Sequence, residues 1–253
     1  MNNKAITLRP RLPYSGVRRF FSSWRQDMKL QFRHHFYSAY LLISIAYIIL
    51  LRMLPDTYQA KLNVLLTFSD PSMLGFFFIG GLILLEKGQH IHDNLFVTPH
   101  SPASYIWSKT ISLTCLSLIS SLFIHISTFG IHQRIGAFIA GVTLTAVFFT
   151  LVGLGVAVRC HTINGFFFSS VVYSTILVLP VLEILQVYTS KLFLLFPATG
   201  SLLLLTSVFE PISGADSVYA VSSLLIWIGI AFYWAYSSLQ SNILGDAKGG
   251  RDA

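Results

Sequence analysis

The chain has 253 residues, of which 54% are apolar and only 11% are charged. A water-soluble domain carries roughly a quarter charged residues, so this composition argues against a soluble protein and indicates one that lies in a membrane. The 17 Lys and Arg residues outnumber the 10 Asp and Glu residues. Because the basic residues flank apolar stretches instead of covering a soluble face, we expect no nucleic-acid partner.

The first 35 residues are predicted to form a cytoplasmic N-terminus and an amphipathic helix lying in the membrane interface. Apolar residues recur at helical spacing, and basic residues occupy the other side of the helix. The apolar positions are Val17, Phe20, Phe21, Trp24, Met28 and Phe32, and the basic ones are Arg18, Arg19, Arg25, Lys29 and Arg33. The alternative is a cluster of positive charge that flanks the first span and has no further role. No signal peptide is expected, because the first long apolar run begins only at residue 36.

A membrane-spanning helix needs about 20 mostly apolar residues. The stretches that carry few or no charges predict six spans, at residues 36–51, 71–85, 110–131, 135–158, 162–182 and 218–239. The predicted fold is therefore an all-α membrane protein, with one six-span domain over residues 36–240 after the interfacial helix. Two ionisable residues near the span ends, Asp70 and His125, are expected at the outer interface.

Residues 183–216 are predicted to form broken short helices on the outer side, before the last span. The stretch 192–209 is uncharged and long enough to span, but Pro197 removes a backbone donor and Gly200 loosens the helix. A re-entrant or surface-lying pair of short helices is therefore favoured, and a seventh span is the alternative. Glu183, at the start of this region, is either part of an outer gate or simply the first interfacial charge.

The orientation follows from the positions of the Lys and Arg residues. With six spans and the N-terminus inside, most of the 17 basic residues fall on the inner segments. The positive-inside rule then predicts that both termini, including a tail over 241–253, are cytoplasmic in an inner or plasma membrane.

The segment between the second and third spans is much longer than a turn requires, and it contains a short helix-like run. Asp93 or Asn94 can cap that run, and Pro99 and Pro102 end it. Its apolar residues are Leu95, Phe96 and Val97. Exposed apolar side chains on a polar segment indicate a docking surface. His90, His92 and Asp93 also suggest a metal site, but these are too few ligands, and no metal is expected.

One pattern in this region resembles a known family. Glu86 ends the second span, Leu95-Phe96-Val97-Thr98-Pro99 follows, and Tyr105 and Lys109 open the third span. This pattern resembles the permease subunits of type-2 ATP-binding-cassette exporters, and most of all the drug-export branch that includes fluoroquinolone exporters. The resemblance implies a coupling helix at about residues 89–100 that docks on an ATPase subunit, with Glu86 as a hinge, and a second permease copy as partner.

The chain has no Gly-x-x-x-x-Gly-Lys-[Ser/Thr] phosphate loop. It is therefore not expected to be an enzyme or to hold a cofactor, and ATP would be bound by the partner subunit. The predicted function is the membrane subunit of an exporter for an amphiphilic or drug-like small molecule or a lipid. The alternatives are a non-transporting assembly or sensor subunit and, with less support, a membrane-embedded enzyme.

Overall fold

The computed structural model describes residues 16–33, 35–69, 73–89, 101–131 and 134–244. Within these ranges the chain is mostly helical and contains no strand. The helices are α1 (Gly16–Arg33), α2 (Phe36–Met53), α3 (Asp56–Thr67), α4 (Met73–Gly88), α5 (Pro102–Phe129), α6 (Ile135–Arg159), α7 (Ile163–Val178), α8 (Val181–Ile184), α9 (Pro197–Thr206) and α10 (Gly214–Leu239). A 3-10 turn at Lys191–Leu195 precedes α9, and a π-helical segment at Gln240–Leu244 follows α10.

Four helices in the described part of the chain are long and apolar enough to cross a membrane. They are Phe36–Met53, Pro102–Phe129, Ile135–Arg159 and Gly214–Asn242. Two shorter apolar helices, Ile163–Val178 and Pro197–Thr206, lie beside them. These helices confirm an all-α architecture with several apolar helices of spanning length.

Helix α6 forms the centre of the bundle and packs against α4, α5, α9 and α10. Close packing is possible because small residues face its neighbours. A Cβ atom added at Gly153 would lie 2.5 Å from the carbonyl oxygen of Phe76 on α4, and one added at Gly155 would lie 2.4 Å from the Trp234 ring on α10. These two glycines therefore set the distance between α6 and its neighbours.

Helix α5 begins earlier than the sequence predicts. The third span was expected from residue 110, but the helix starts at Pro102, and the Ser101 side chain accepts a hydrogen bond from the backbone N–H of Ser104. Proline is favoured in the first turn of a helix because its missing N–H has no partner there. The two extra turns bring Tyr105 and Lys109 into the helix.

Helix α3 has no counterpart in the sequence prediction. Its sequence includes Asp56, Lys61 and Asn63 and has no clear apolar stripe, yet Asn63 and Val64 are buried. The side chain of His125, expected at the outer interface, is also fully buried: it stacks on Phe138 with ring centroids 4.4 Å apart, and its Nδ1 lies 3.3 Å from the Asn63 oxygen. Asp70 lies outside the described residues.

The region between α7 and α10 consists of the short helix α8, the 3-10 turn and α9. The backbone is extended at Phe196, directly before Pro197 opens α9. Gly200 lies inside α9, where an added Cβ would come within 2.9 Å of the Ala220 carbonyl oxygen on α10. Helix α9 is therefore buried against the longer helices, with most of its residues inside the protein.

Side-chain contacts define the two ends of the bundle. At one end, Lys87 donates to the Val158 carbonyl over 2.5 Å, and Arg159 Nε donates to Ser238 Oγ over 3.0 Å. These bonds join the C-terminal ends of α4, α6 and α10, and we call this the Glu86 end. At the other end, which we call the Glu183 end, Arg134 donates to the Ser207 carbonyl over 3.2 Å.

Candidate functional site

Glu86, the acidic residue near the end of α4, binds two side chains of α5. Lys109 Nζ lies 2.5 Å from Glu86 Oε1, and the Tyr105 hydroxyl donates to Glu86 Oε2 over 2.5 Å. The Lys109 and Tyr105 positions are four residues apart, so they lie on the same face of α5. The ammonium group also lies 5.0 Å from the centroid of the Tyr105 ring. Both carboxylate oxygens of Glu86 are thus bound to α5.

Helix α1 supplies a second carboxylate to the same lysine. Asp27 Oδ1 lies 3.1 Å from Lys109 Nζ, and Ser108 Oγ donates to Asp27 Oδ2 over 2.8 Å. One buried cation therefore bridges two acidic residues from different helices. We call Asp27, Glu86, Tyr105, Ser108 and Lys109 the ionic cluster.

The ionic cluster is shielded from solvent by the protein itself. The side chain of Lys109 is 2% exposed, that of Glu86 8% and that of Asp27 13%. Burial raises the pKa of the Asp27 carboxyl above its ordinary value of 3.8, Lys109 and the Ser108 hydrogen bond oppose that rise, and Glu86 adds to it. Buried charges are tolerated in a folded protein because they are paired with opposite charges. Removing one partner therefore destabilises the fold, because the remaining charge is buried without compensation.

Asp27 is oriented by the face of α1 that packs on α5. Gln31, one turn further along α1, is fully buried and donates from Nε2 to Ser112 Oγ over 2.6 Å. Phe21 and Phe32, in contrast, are 56% and 72% exposed. The buried face of α1 therefore includes polar side chains, and part of the predicted apolar stripe points away from the protein.

The ionic cluster lies near the end of α4 and the start of α5, the two helices that flank the segment 90–100 in the chain. Glu86 is close to the end of α4, and Tyr105 is close to the start of α5. Lys87 extends the connection, because its ammonium group donates to the carbonyls of Val158 and Cys160 at the end of α6. Helices α1, α4, α5 and α6 are thus joined at the Glu86 end by charged side chains.

The predicted docking residues Asp93, Leu95, Phe96, Val97 and Pro99 lie outside the described residues, as do His90 and His92. The structure describes the helices that flank their segment, and it joins α4 to α5 through the contacts of Glu86 with Lys109 and Tyr105.

Glu183 and Glu86 do not form one site. Glu183 lies on α8 at the opposite end of the bundle, where its exposed side chain lines a cavity. Any mechanical coupling between Glu86 and Glu183 would have to pass along the helices between them.

Neither Asp27 nor Ser108 was predicted from the sequence as a site residue. Asp27 was hidden within a basic helix, and the order of the chain separates it from Lys109 by 82 positions. The sequence did contain one indication of its role. Asp27 shares a helical face with Trp24 and Gln31, because residues three or four positions apart lie on the same side of an α-helix. A lone acid on that face of a strongly basic helix indicates a cationic partner from another helix.

Comparison with known proteins adds an independent observation. The family model described as the fluoroquinolones export permease protein family matches residues 18–244. Two curated proteins from Mycobacterium tuberculosis, strains CDC 1551 and H37Rv, are each 24% identical to this chain over 196 residues. The matched region covers 77% of this chain and 83% of each relative, and both relatives are named fluoroquinolones export permease proteins.

Proposed function

This chain belongs to the fluoroquinolones export permease protein family, and from that premise we propose that it is the membrane subunit of an ATP-driven exporter. The subunit would move an amphiphilic, drug-like molecule out of the cytoplasm, using ATP hydrolysed by a separate cytoplasmic ATPase. The observation that supports this most directly is the ionic cluster, which joins α4 and α5, the helices on either side of the segment 90–100, to each other and to α1.

The ionic cluster gives a physical route for mechanical coupling. A displacement of the segment 90–100 acts on the end of α4 and the start of α5, because Glu86 and Tyr105 lie at those points. Lys109 then passes the displacement to α1 through Asp27. Ion pairs shielded from water resist separation, so the end of α4, the start of α5 and helix α1 would move together.

We further propose a six-span topology in which α4 and α7 cross the membrane beside the four longer helices. Helix α4 has 16 residues and a strongly apolar sequence up to Glu86. Phe21 and Phe32, on the exposed side of α1, would enter the lipid interface. The positive-inside rule places the Glu86 end, both termini and the segment 90–100 in the cytoplasm. A second permease copy would complete the pathway.

The proposal is tested by placing a charge in the docking segment. The substitution Phe96→Asp should abolish co-purification of the permease with its ATPase while leaving membrane insertion intact, because a carboxylate cannot enter an apolar docking pocket without a partner. The measurement is the amount of ATPase retained by the affinity-tagged permease, together with ATP-dependent transport in proteoliposomes.

The matched control is His161→Asp, which adds the same group at an exposed position directly after α6, at the same end of the bundle. This control variant should retain the ATPase. Full retention of both ATPase binding and transport by Phe96→Asp would contradict the proposal, and equal loss in both variants would point to a general effect of added negative charge.

A further inference from the structure

A cavity of about 760 Å³ opens at the Glu183 end of the bundle. It lies between the stretch from Pro180 to Leu194, helix α9 and the first turns of α10. Cavities of roughly 300–1,000 Å³ are the size that encloses a drug-sized molecule. No residue of the ionic cluster lines this cavity, so it is a separate feature of the molecule.

The lining of the cavity is amphipathic. Leu194, Leu202 and Leu203 supply apolar surface, and hydroxyl groups come from Thr199, Thr206 and other residues. Sites for small organic molecules characteristically combine a mostly apolar wall with a few polar groups that fix orientation.

The charged residues of the lining favour a positively charged ligand. Glu183 and Asp216 contribute two carboxyl groups, whereas Lys191 contributes one ammonium group, so the formal charge of the lining is negative. Asp216 is also fixed in place, because it accepts a hydrogen bond from Ser213 Oγ over 2.8 Å. A concave site with an excess of one charge attracts ligands of the opposite charge.

The walls of the cavity are held by hydrogen bonds across its elements. Thr199 Oγ1 donates to the Phe193 carbonyl over 2.5 Å, and the Tyr219 hydroxyl donates to the Leu194 carbonyl. The Trp227 indole N–H donates to the Leu195 carbonyl over 3.0 Å. The 3-10 turn is thereby attached to both α9 and α10, so the cavity is built before any ligand arrives.

We propose that this cavity is a binding site for an amphiphilic organic monocation, with its cationic group near Glu183 and Asp216 and its apolar body against Leu203. Its place at the end opposite the ionic cluster makes it a site on the release side of the membrane. That role on the release side rests on the proposed export function, whereas binding itself does not require it.

The test uses two xanthene dyes of similar shape and opposite charge. Rhodamine 6G is a cation and fluorescein is an anion, and binding of each to the purified full chain in lipid nanodiscs is measured by fluorescence anisotropy. Empty nanodiscs correct for partition into lipid. No ATPase is present, so failure of the binding site is distinguished from failure of ATPase docking.

The expected result is saturable binding of rhodamine 6G and much weaker binding of fluorescein. The substitution Glu183→Gln should weaken rhodamine 6G binding by about fivefold, the upper range for one exposed charge pair. Leu203→Trp should weaken it by about tenfold or more, because the larger ring occupies the cavity. The matched control Glu210→Gln removes an exposed carboxyl group that lies outside the lining, and it should change the affinity less than twofold.

Three outcomes would overturn the proposal. They are absence of saturable rhodamine 6G binding, equal binding of fluorescein, and an unchanged affinity in Glu183→Gln. If Leu203→Trp fails to give a monodisperse protein, the comparison of Glu183→Gln with Glu210→Gln decides the question alone.

Discussion

The substitution Lys109→Met removes the only cation of the ionic cluster and keeps a side chain of similar length. Glu86 and Asp27 would then face each other without the ammonium group that lies 2.5 Å and 3.1 Å from their oxygens. Removing one partner of a buried ion pair costs about 3–5 kcal/mol, because the remaining charge is left uncompensated. For a chain of this size that corresponds to a fall in Tm of roughly 6–20 °C.

The assay is thermal unfolding of the purified permease in detergent, followed by the loss of the monodisperse peak in size-exclusion chromatography. The matched control is Lys61→Met, which removes an exposed lysine from α3 and should leave the Tm nearly unchanged. The triple variant with Lys109→Met, Glu86→Gln and Asp27→Asn should recover part of the lost stability, because the ionic cluster itself then carries no charge.

The pH dependence of the variant follows from Asp27. Burial raises the pKa of this carboxyl above 3.8 and Lys109 opposes the rise, so loss of the lysine raises the pKa further. The folded variant then binds this proton more tightly than the unfolded chain, and its stability increases as the pH falls from the raised pKa toward 3.8. The difference in Tm between the variant and the wild-type protein should therefore be smaller at pH 5 than at pH 8.

Two results would refute this reasoning about the ionic cluster. One is a Tm for Lys109→Met that equals that of Lys61→Met. The other is a stability difference that widens as the pH falls, since this would give Asp27 the opposite proton linkage.

Two further predictions concern packing and hydrogen bonding. Gly153→Ala should destabilise the protein by about 1–3 kcal/mol, because its new methyl group would lie 2.5 Å from the Phe76 backbone oxygen. The control Gly229→Ala, where nothing lies within 4 Å of the added Cβ, should be neutral or slightly stabilising. Equal melting temperatures of the two variants would contradict the close packing of α6 on α4. Tyr105→Phe should cost about 1.5–3 kcal/mol by removing the hydrogen bond to Glu86, and an unchanged thermal unfolding curve would show that this hydrogen bond does not stabilise the fold.

The sequence predicts the apolar helices well where charged residues are absent for about 20 positions. Helix α6, expected over 135–158, is observed over Ile135–Arg159. The physical reason is that moving a charged side chain from water into apolar surroundings costs free energy. Charged residues therefore tend to mark where an apolar helix begins and ends.

The same reasoning misplaced the start of α5, because it treated Lys109 as a boundary. A charged residue can lie within such a helix when partners compensate it, and here the partners come from α1 and α4. Distances of 23 and 82 positions along the chain separate Lys109 from Glu86 and Asp27. A single sequence carries no local pattern that reports a pairing of this kind.

Helix α3 and the buried His125 were missed for a related reason. Asn63 contacts His125 across 62 positions of the chain, so the polar face of α3 is explained by a partner in α5. Tertiary packing outweighs the weak apolar periodicity of this segment. For Glu86, in contrast, the resemblance to the exporter family was sufficient to single it out as a hinge candidate. The structure places it beside Lys109 and Tyr105, and its role as a hinge stays a prediction.

The proposed function requires the segment between α4 and α5 to face the compartment of the ATPase. The measurement is labelling of a single cysteine, His92→Cys, in a chain whose Cys115 and Cys160 have been replaced, using a membrane-impermeant thiol reagent. We expect strong labelling in inside-out vesicles, protection when the ATPase is bound, and no labelling in right-side-out vesicles. Labelling from the outer face of sealed right-side-out vesicles would contradict the proposed function.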